Sequence, residues 1–204
     1  MEILGTGETD LARAADLLRQ GKLVVFPTET LYGLAARVAE EDAVDRVAEI
    51  KGRLSGSPLP VLLGSQRVAE RFARFDSAAL RLADAFWPGP LTLVLPARIG
   101  LPAPLLGQER TVGLRISSHP VAAALAEWCE AITATSANRS GGRPPGEPAD
   151  VSERIRDEAA ALIDAGPLPG RVPSTVVRLA AGRAEILRRG VIPGSEIRAV
   201  AGGR

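Results

Sequence analysis

The 204-residue chain is expected to fold as an α/β protein around a substantial sheet. Helix-like and strand-like segments alternate along its length. Several of the strand-like segments are short, continuous apolar runs, such as KLVVFP at 22–27 and LTLVL at 91–95. Polar loops rich in Gly and Pro separate them. Hydrophobic residues make up 46% of the chain, charged residues 24% and aromatics 3%, an ordinary globular mixture with an aliphatic core. A chain of this length buries about 70% of its unfolded surface, enough for a core without disulfide or metal support. Too little sequence lies beyond residue 174 for a second core, so residues 1–204 read as one domain.

The elements follow in order. Asp10–Gln20 places Leu11, Ala14, Ala15, Leu17 and Leu18 on one helical face, with Thr9 or Asp10 as cap and Gly21 as stop. Lys22–Pro27 is a strand, Thr28–Gly33 is polar and turns, and Leu34–Val38 offers a second strand. Glu41–Ile50 is a helix with Val44, Val47 and Ala48 inward. The loop RLSGSP (53–58) leads to a strand at Leu59–Leu63, then helices at Ser65–Phe72 and Asp76–Phe86. Leu91–Leu95 is a strand, and 96–110, with three prolines and no clear period, is a long loop. Thr111–Ile116 is a strand and His119–Trp128 a helix with Pro120 in its first turn. Ala131–Thr135 is a strand that enters the polar loop 136–145. A short helix near Val151–Asp157 precedes strands at Ala161–Asp164, Ser174–Leu179 and Ala184–Leu187. The final VAGGR reads as a frayed tail.

Charge and composition exclude several classes of function. Twenty-five basic and 24 acidic residues give a formal net charge of +1, which argues against a general cationic coat for nucleic acid but not against a local basic cleft. Only two of the basic residues, Lys22 and Lys51, are lysines. A lysine in this chain therefore stands out. One cysteine, Cys129, and one histidine, His119, make neither an internal disulfide nor a His/Cys metal site, so no protein-bound zinc is expected. The N-terminus MEILGTGETD has no apolar signal core, and no run of about 18 apolar residues exists, so the expectation is a soluble cytoplasmic protein without a membrane partner. The P-loop pattern, the dinucleotide glycine fingerprint and the G-x-S-x-G elbow are all absent.

Three places pair a strand end with a polar, Gly/Pro-punctuated loop: FPTETLYG (26–33), KGRLSGSP (51–58) and TSANRSGGRPP (135–145). Ligands in open α/β sheets sit at strand carboxyl ends, so the three loops can share one cleft. Lys51 and Arg53 flank a glycine that permits close backbone approach. Ser136, Asn138 and Ser140 bring hydroxyl and amide groups, and successive loop N–H groups can form an anion nest. Plainer roles fit too. Lys51 and Arg53 complement a helix C-terminus at about 0.3–1 kcal/mol each. Thr28 and Thr30 suit turns or the cap of a following helix, and SANRSGG suits a flexible loop. Arg115 is sharper, because period 2 points it opposite to Leu114 at the end of an apolar strand. Residue types and spacing alone thus reach a phosphate or carboxylate ligand in an α/β cleft, and no further.

The motifs FPTETLYG, AEIKGR, SPLPVLL, FWPGPLTLVL, TVGLRI, TSANRSG, PSTVV and ILRRG occur in the order and spacing of the YrdC-like threonylcarbamoyl-AMP synthases, which the chain resembles from about residue 9 to 192. The family's K-x-R…S-x-N signature stands as Lys51, Arg53, Ser136 and Asn138. The resemblance implies a single-domain, YrdC-like twisted mixed sheet flanked by helices around a large basic cleft, in the short form of the family. It implies a nucleotidyltransferase that converts L-threonine, bicarbonate or CO2, and ATP to threonylcarbamoyl-AMP and pyrophosphate. ATP would bring Mg2+ with it, and transferase partners would pass the activated group to tRNA.

By the same resemblance, Lys51 and Arg53 are the catalytic residues, set against the phosphates. Thr30, Arg115, Ala134 and Ser174 hold threonine, with Arg115 on its carboxylate. Ser57, Thr111, Ser136, Asn138, Pro144 and Arg188 complete the ATP site. Two departures stand out: Ser57 and Leu62 replace an Asn and a His common in relatives, and GGRPPGEP replaces the usual Ser-Pro-Thr element after SANRSG. A reading from a different class is a double-stranded-RNA or tRNA-binding module that uses the same cleft, distinguished by a steep loss of affinity with salt.

Overall fold

Strands buried on both faces form wherever the sequence carries a short aliphatic run. The computed structural model describes residues 1–203 apart from 53–57, 99, 140, 171 and 181–182. In chain order the first elements are β1 (Glu2–Leu4), α1 (Glu8–Arg19), β2 (Val24–Pro27), β3 (Tyr32–Ala35), α2 (Glu41–Ile50) and β4 (Val61–Leu63). Next come α3 (Gln66–Phe72), α4 (Ser77–Phe86), β5 (Leu91–Pro96), β6 (Thr111–Arg115) and α5 (Pro120–Cys129). The chain continues through β7 (Ala131–Thr133), β8 (Thr135–Ser136), α6 (Glu153–Glu158), β9 (Ala161–Ile163), β10 (Thr175–Ala180), β11 (Arg183–Arg188) and α7 (Gly194–Ala201).

The strands make two mixed sheets rather than one. Five form the order β1-β9-β2-β3-β8 and six the order β11-β10-β5-β6-β4-β7. The sheets meet where β7 passes through Ala134 into β8. There the Thr133 N–H donates to the Ala36 carbonyl at 2.8 Å, and the Ala36 N–H donates to Thr133 Oγ1 at 2.9 Å. One apolar cluster packs α1 and α5 over β2 through Leu11, Leu18, Phe26 and Leu125. A second joins α2, α4 and α7 to the six-stranded sheet through Val47, Leu82, Leu93 and Ile197.

Local chemistry explains the helix starts. Ser65 caps α3 by accepting from the Val68 N–H at 3.4 Å, and Asp76 caps α4 by accepting from the Ala79 N–H at 2.8 Å. Helix α1 departs from expectation: it begins at Glu8 after Gly7, without a side-chain cap, because Asp10 turns back to accept from the Gly5 N–H at 2.8 Å. Strand β3 begins at Tyr32, not Leu34. A tight turn brings Thr28 to Leu31 (N–H to carbonyl, 3.2 Å), so Pro27 already pairs with Tyr32. The 96–110 loop contains two single 3-10 turns, at 103–105 and 108–110.

Of the expected frayed tail, Val200 and Ala201 instead close α7, and Arg204 lies outside the described residues. Ile197 and Ala201 are buried, and the Arg81 guanidinium donates to the Val200 carbonyl at 3.2 Å and the Ala201 carbonyl at 2.6 Å. No described helix is long and apolar enough to cross a membrane.

Candidate active site

A cavity of about 610 Å3 opens on one face of the six-stranded sheet. Strand periodicity builds its floor. Thr92 and Val94 of β5, Thr111, Gly113 and Arg115 of β6, and Ser174, Val176 and Arg178 at β10 alternate along their strands and line it. The residues between them, Leu91, Leu93, Leu95, Val112, Leu114, Val177 and Leu179, point the other way into the core. The turn 28–33, the Ala134–Ser136 seam, Pro144 and Arg188 form the walls.

The 28–30 turn is organised by hydroxyl groups, ahead of a strand rather than a helix. Thr28 Oγ1 donates to the Leu31 carbonyl at 2.7 Å and accepts from the Leu31 N–H at 3.1 Å. Its single proton is thereby used, so in the 2.9 Å contact between the two threonine hydroxyls Thr30 is the donor. Thr30 Oγ1 is left with lone pairs, one of which faces Arg115 Nη2 at 3.3 Å. Arg115 is only 7% exposed, and its Nη2 lies 2.7 Å from Glu29 Oε1. Ser117 Oγ donates to the other Glu29 oxygen. Burial alone would raise the Glu29 carboxyl, but the Arg115 charge and the hydrogen bonds from Ser117 and Arg115 outweigh it and hold the group below the usual range. Burial lowers the His119 pKa against the pull of Glu29.

Also lining the cavity, Arg188 Nη2 donates to Ser174 Oγ at 2.9 Å, and Nε and Nη2 donate to the Ser174 carbonyl. Ser174 Oγ also lies 3.0 Å from Thr92 Oγ1. Thr111 Oγ1 donates to the Gln108 carbonyl at 2.9 Å. Lys51, the C-cap of α2, is 1% exposed. Its Nζ donates to the Ser136 carbonyl at 2.7 Å, to Asn138 Oδ1 at 3.2 Å and, at closer range, to the Asn138 carbonyl.

The structure therefore brings Thr30, Thr111, Arg115, Ala134, Ser136, Pro144, Ser174 and Arg188 to one cavity. Lys51 and Asn138 stand behind its 136–138 wall and do not line it. Arg53 and Ser57 lie outside the described residues. Leu62 is wholly buried in β4, among apolar side chains.

A family model for Sua5/YciO/YrdC proteins, described as "Telomere recombination", matches residues 16–190. The chain belongs to this family. Among its relatives, the threonylcarbamoyl-AMP synthase of Pyrococcus abyssi is 41% identical over 191 residues, covering 93% of this chain and 56% of the relative. The Bacillus subtilis enzyme of that name is 38% identical over 203 residues, covering 98% and 58%. Among solved structures, P. abyssi Sua5 complexed with L-threonine matches with a TM-score of 0.93 at 38% identity, over 99% of this chain and 61% of that one. Escherichia coli YciO matches at 0.83 and 25% identity, over 93% and 95%. The chain thus spans less than two thirds of the P. abyssi and B. subtilis relatives.

Within this Sua5/YciO/YrdC fold the cavity includes residues that sequence reasoning did not single out. Thr92 and Arg178 carried a signal, since each sits out of phase with buried neighbours on its strand. Glu29 did not. An acid in a polar turn gains meaning only once the fold sets Arg115 beside it.

Proposed function

We propose that this chain makes threonylcarbamoyl-AMP and pyrophosphate from L-threonine, bicarbonate or CO2, and ATP. The observation that carries the reading is the convergence on one cavity of a buried arginine with hydroxyl partners and of Ser136, Thr111 and Arg188. The P. abyssi Sua5 complex with L-threonine, so similar in fold, supports the amino acid as ligand.

In this reading Thr30, Arg115, Ala134 and Ser174 hold threonine, with the Arg115 charge on its carboxylate. The neutral threonine amine bonds to CO2 and loses a proton, giving a carbamate. A carbamate oxygen then attacks the α-phosphate in line as the bond to pyrophosphate breaks. Two anions must approach each other, so fixed positive charge and held orientation supply the acceleration, without a nucleophilic side chain. Thr111, Ser136, Pro144 and Arg188 line the nucleotide side. Lys51 contributes its charge from behind the loop with Asn138 beside it, and the resemblance alone assigns Arg53 and Ser57 to ATP. No cluster of three or more His, Cys, Asp or Glu side chains stands among the described residues, and Mg2+ enters as part of the ATP substrate. The enzyme would work in the cytoplasm as one domain, handing its labile product to transferase partners that act on tRNA.

The test is pyrophosphate release from ATP with each amino acid, with and without bicarbonate. Release that requires both L-threonine and bicarbonate is expected. Release without either one would overturn the reading. RNA binding that weakens steeply with salt, in a protein that releases no pyrophosphate, would favour the nucleic-acid module instead.

A further inference from the structure

We infer that Lys51 and Asn138 are positioning residues: they form a staple that ties Ser136, Asn138, Arg139 and Gly142 together before any nucleotide arrives, with Lys51 Nζ donating to Ser136 and Asn138 oxygens rather than reserved for a phosphate. The inference rests on the nucleotide reading of the cavity and concerns how its wall is built.

An ammonium has three N–H donors and no acceptor. Three oxygens of one loop surround Lys51 Nζ: the Ser136 carbonyl at 2.7 Å, Asn138 Oδ1 at 3.2 Å and the Asn138 carbonyl, closer still. The Asn138 side chain is saturated in the same way. Its Oδ1 accepts from Lys51 and, at 2.6 Å, from the Ser136 hydroxyl, and its Nδ2 donates to the Arg139 carbonyl at 2.9 Å and the Gly142 carbonyl at 2.5 Å.

Both residues are buried, Lys51 at 1% and Asn138 at 7% exposure, while Ser136, which they hold, faces the cavity. A buried ammonium is tolerated only when its hydrogen bonds are complete, so the loop and the lysine require each other. A lysine that touched a phosphate directly would have to release one of these loop oxygens. The two roles therefore differ in the ligand-free protein.

The experiment is amide hydrogen exchange of the ligand-free chain over residues 131–145, comparing wild type with Lys51→Met and Asn138→Ala. The Ala137 N–H bonds to the Tyr32 carbonyl and the Gly142 N–H to the Arg139 carbonyl, so both report the loop. Each variant is expected to speed their exchange by about tenfold or more while the rest of the chain keeps its protection. In turnover, each should raise the KM for ATP, and the double variant should be no worse than the poorer single, because the two act as one unit. Unchanged loop exchange in folded Lys51→Met, or additive losses in the double variant, would overturn the inference. Should Lys51→Met not fold, Asn138→Ala decides from the loop side, and unchanged exchange there overturns it as well. Exchange needs no substrate. Failure of the wild type to release pyrophosphate would thus sink the proposed reaction without touching this result.

Discussion

Glu29 Oε1 lies 2.7 Å from Arg115 Nη2, with both side chains largely shielded from water. A buried cation requires such a partner, and removing one member of a buried pair commonly costs about 3–5 kcal/mol. The pair also gives Arg115 a fixed aim. Glu29 engages Nη2 while Arg115 lines the cavity. The arginine is thereby held in place without any ligand.

This pair sets an acid limit on stability. The folded Glu29 carboxyl titrates below its ordinary value, so its contribution is complete above the unfolded value, about 4.3, and is lost as pH falls through the lower folded value. Urea unfolding of the wild type should weaken over that window. Glu29→Gln should be less stable at pH 7 and should lack this step. A variant with the wild-type acid profile would dismiss the pair as its source.

Thr30 offers a second, chemically distinct test. Its hydroxyl proton goes to Thr28, so the cavity meets an acceptor. Thr30→Val leaves shape nearly unchanged but removes that acceptor and should weaken threonine binding about tenfold, the scale of one buried hydrogen bond. Thr30→Ser should restore it. Calorimetric titration with L-threonine reads both, and equal affinities for Val and wild type would take Thr30 out of the site.

Much of this was legible in the chain. The α3 and α4 starts are written in Ser65 and Asp76, and two of the three polar loops, 26–33 and 135–145, marked cavity walls because backbone turns need those residue types. What escaped was set by distance. Strand β1 has only three residues and exists because it pairs with β9, Glu2 against Ala161. Helix α7 is short and is held by Arg81, far away in sequence. Lys51 announced a charge, but its acceptors lie 85 and 87 residues further along, and only the fold shows that they are loop oxygens.

Gly190 tests the wall behind Ser174. A Cβ at this position would lie 2.3 Å from the Pro173 carbonyl oxygen and 2.4 Å from Ser174 C and Thr175 N. These are backbone atoms that no side-chain rotation can move. Gly190→Ala must displace the 173–175 segment and with it the Ser174–Arg188 contacts. A stability loss of about 1–3 kcal/mol is expected from such overpacking. Weakened threonine binding should accompany it. Denaturant unfolding and calorimetry together check it, and a fully stable, fully binding variant would contradict the close approach.

Gly113 separates the cavity from the core. It lies mid-strand in β6 on the floor face, between Thr111 and Arg115. A Cβ there would come no nearer than 3.4 Å to Thr92 Cγ2 and 3.8 Å to Pro60, ordinary contacts. The apolar face of β6, Val112 and Leu114, is untouched by the change. Gly113→Val should therefore fold with near-wild-type stability, since valine suits a strand. Its branched side chain would rise from the floor into the space claimed for substrates, where crowding of about 1–3 kcal/mol corresponds to a binding loss of about tenfold or more. Thermal unfolding checks the first half and titration with L-threonine and ATP the second. Intact binding by a folded Gly113→Val would move the substrates away from this floor.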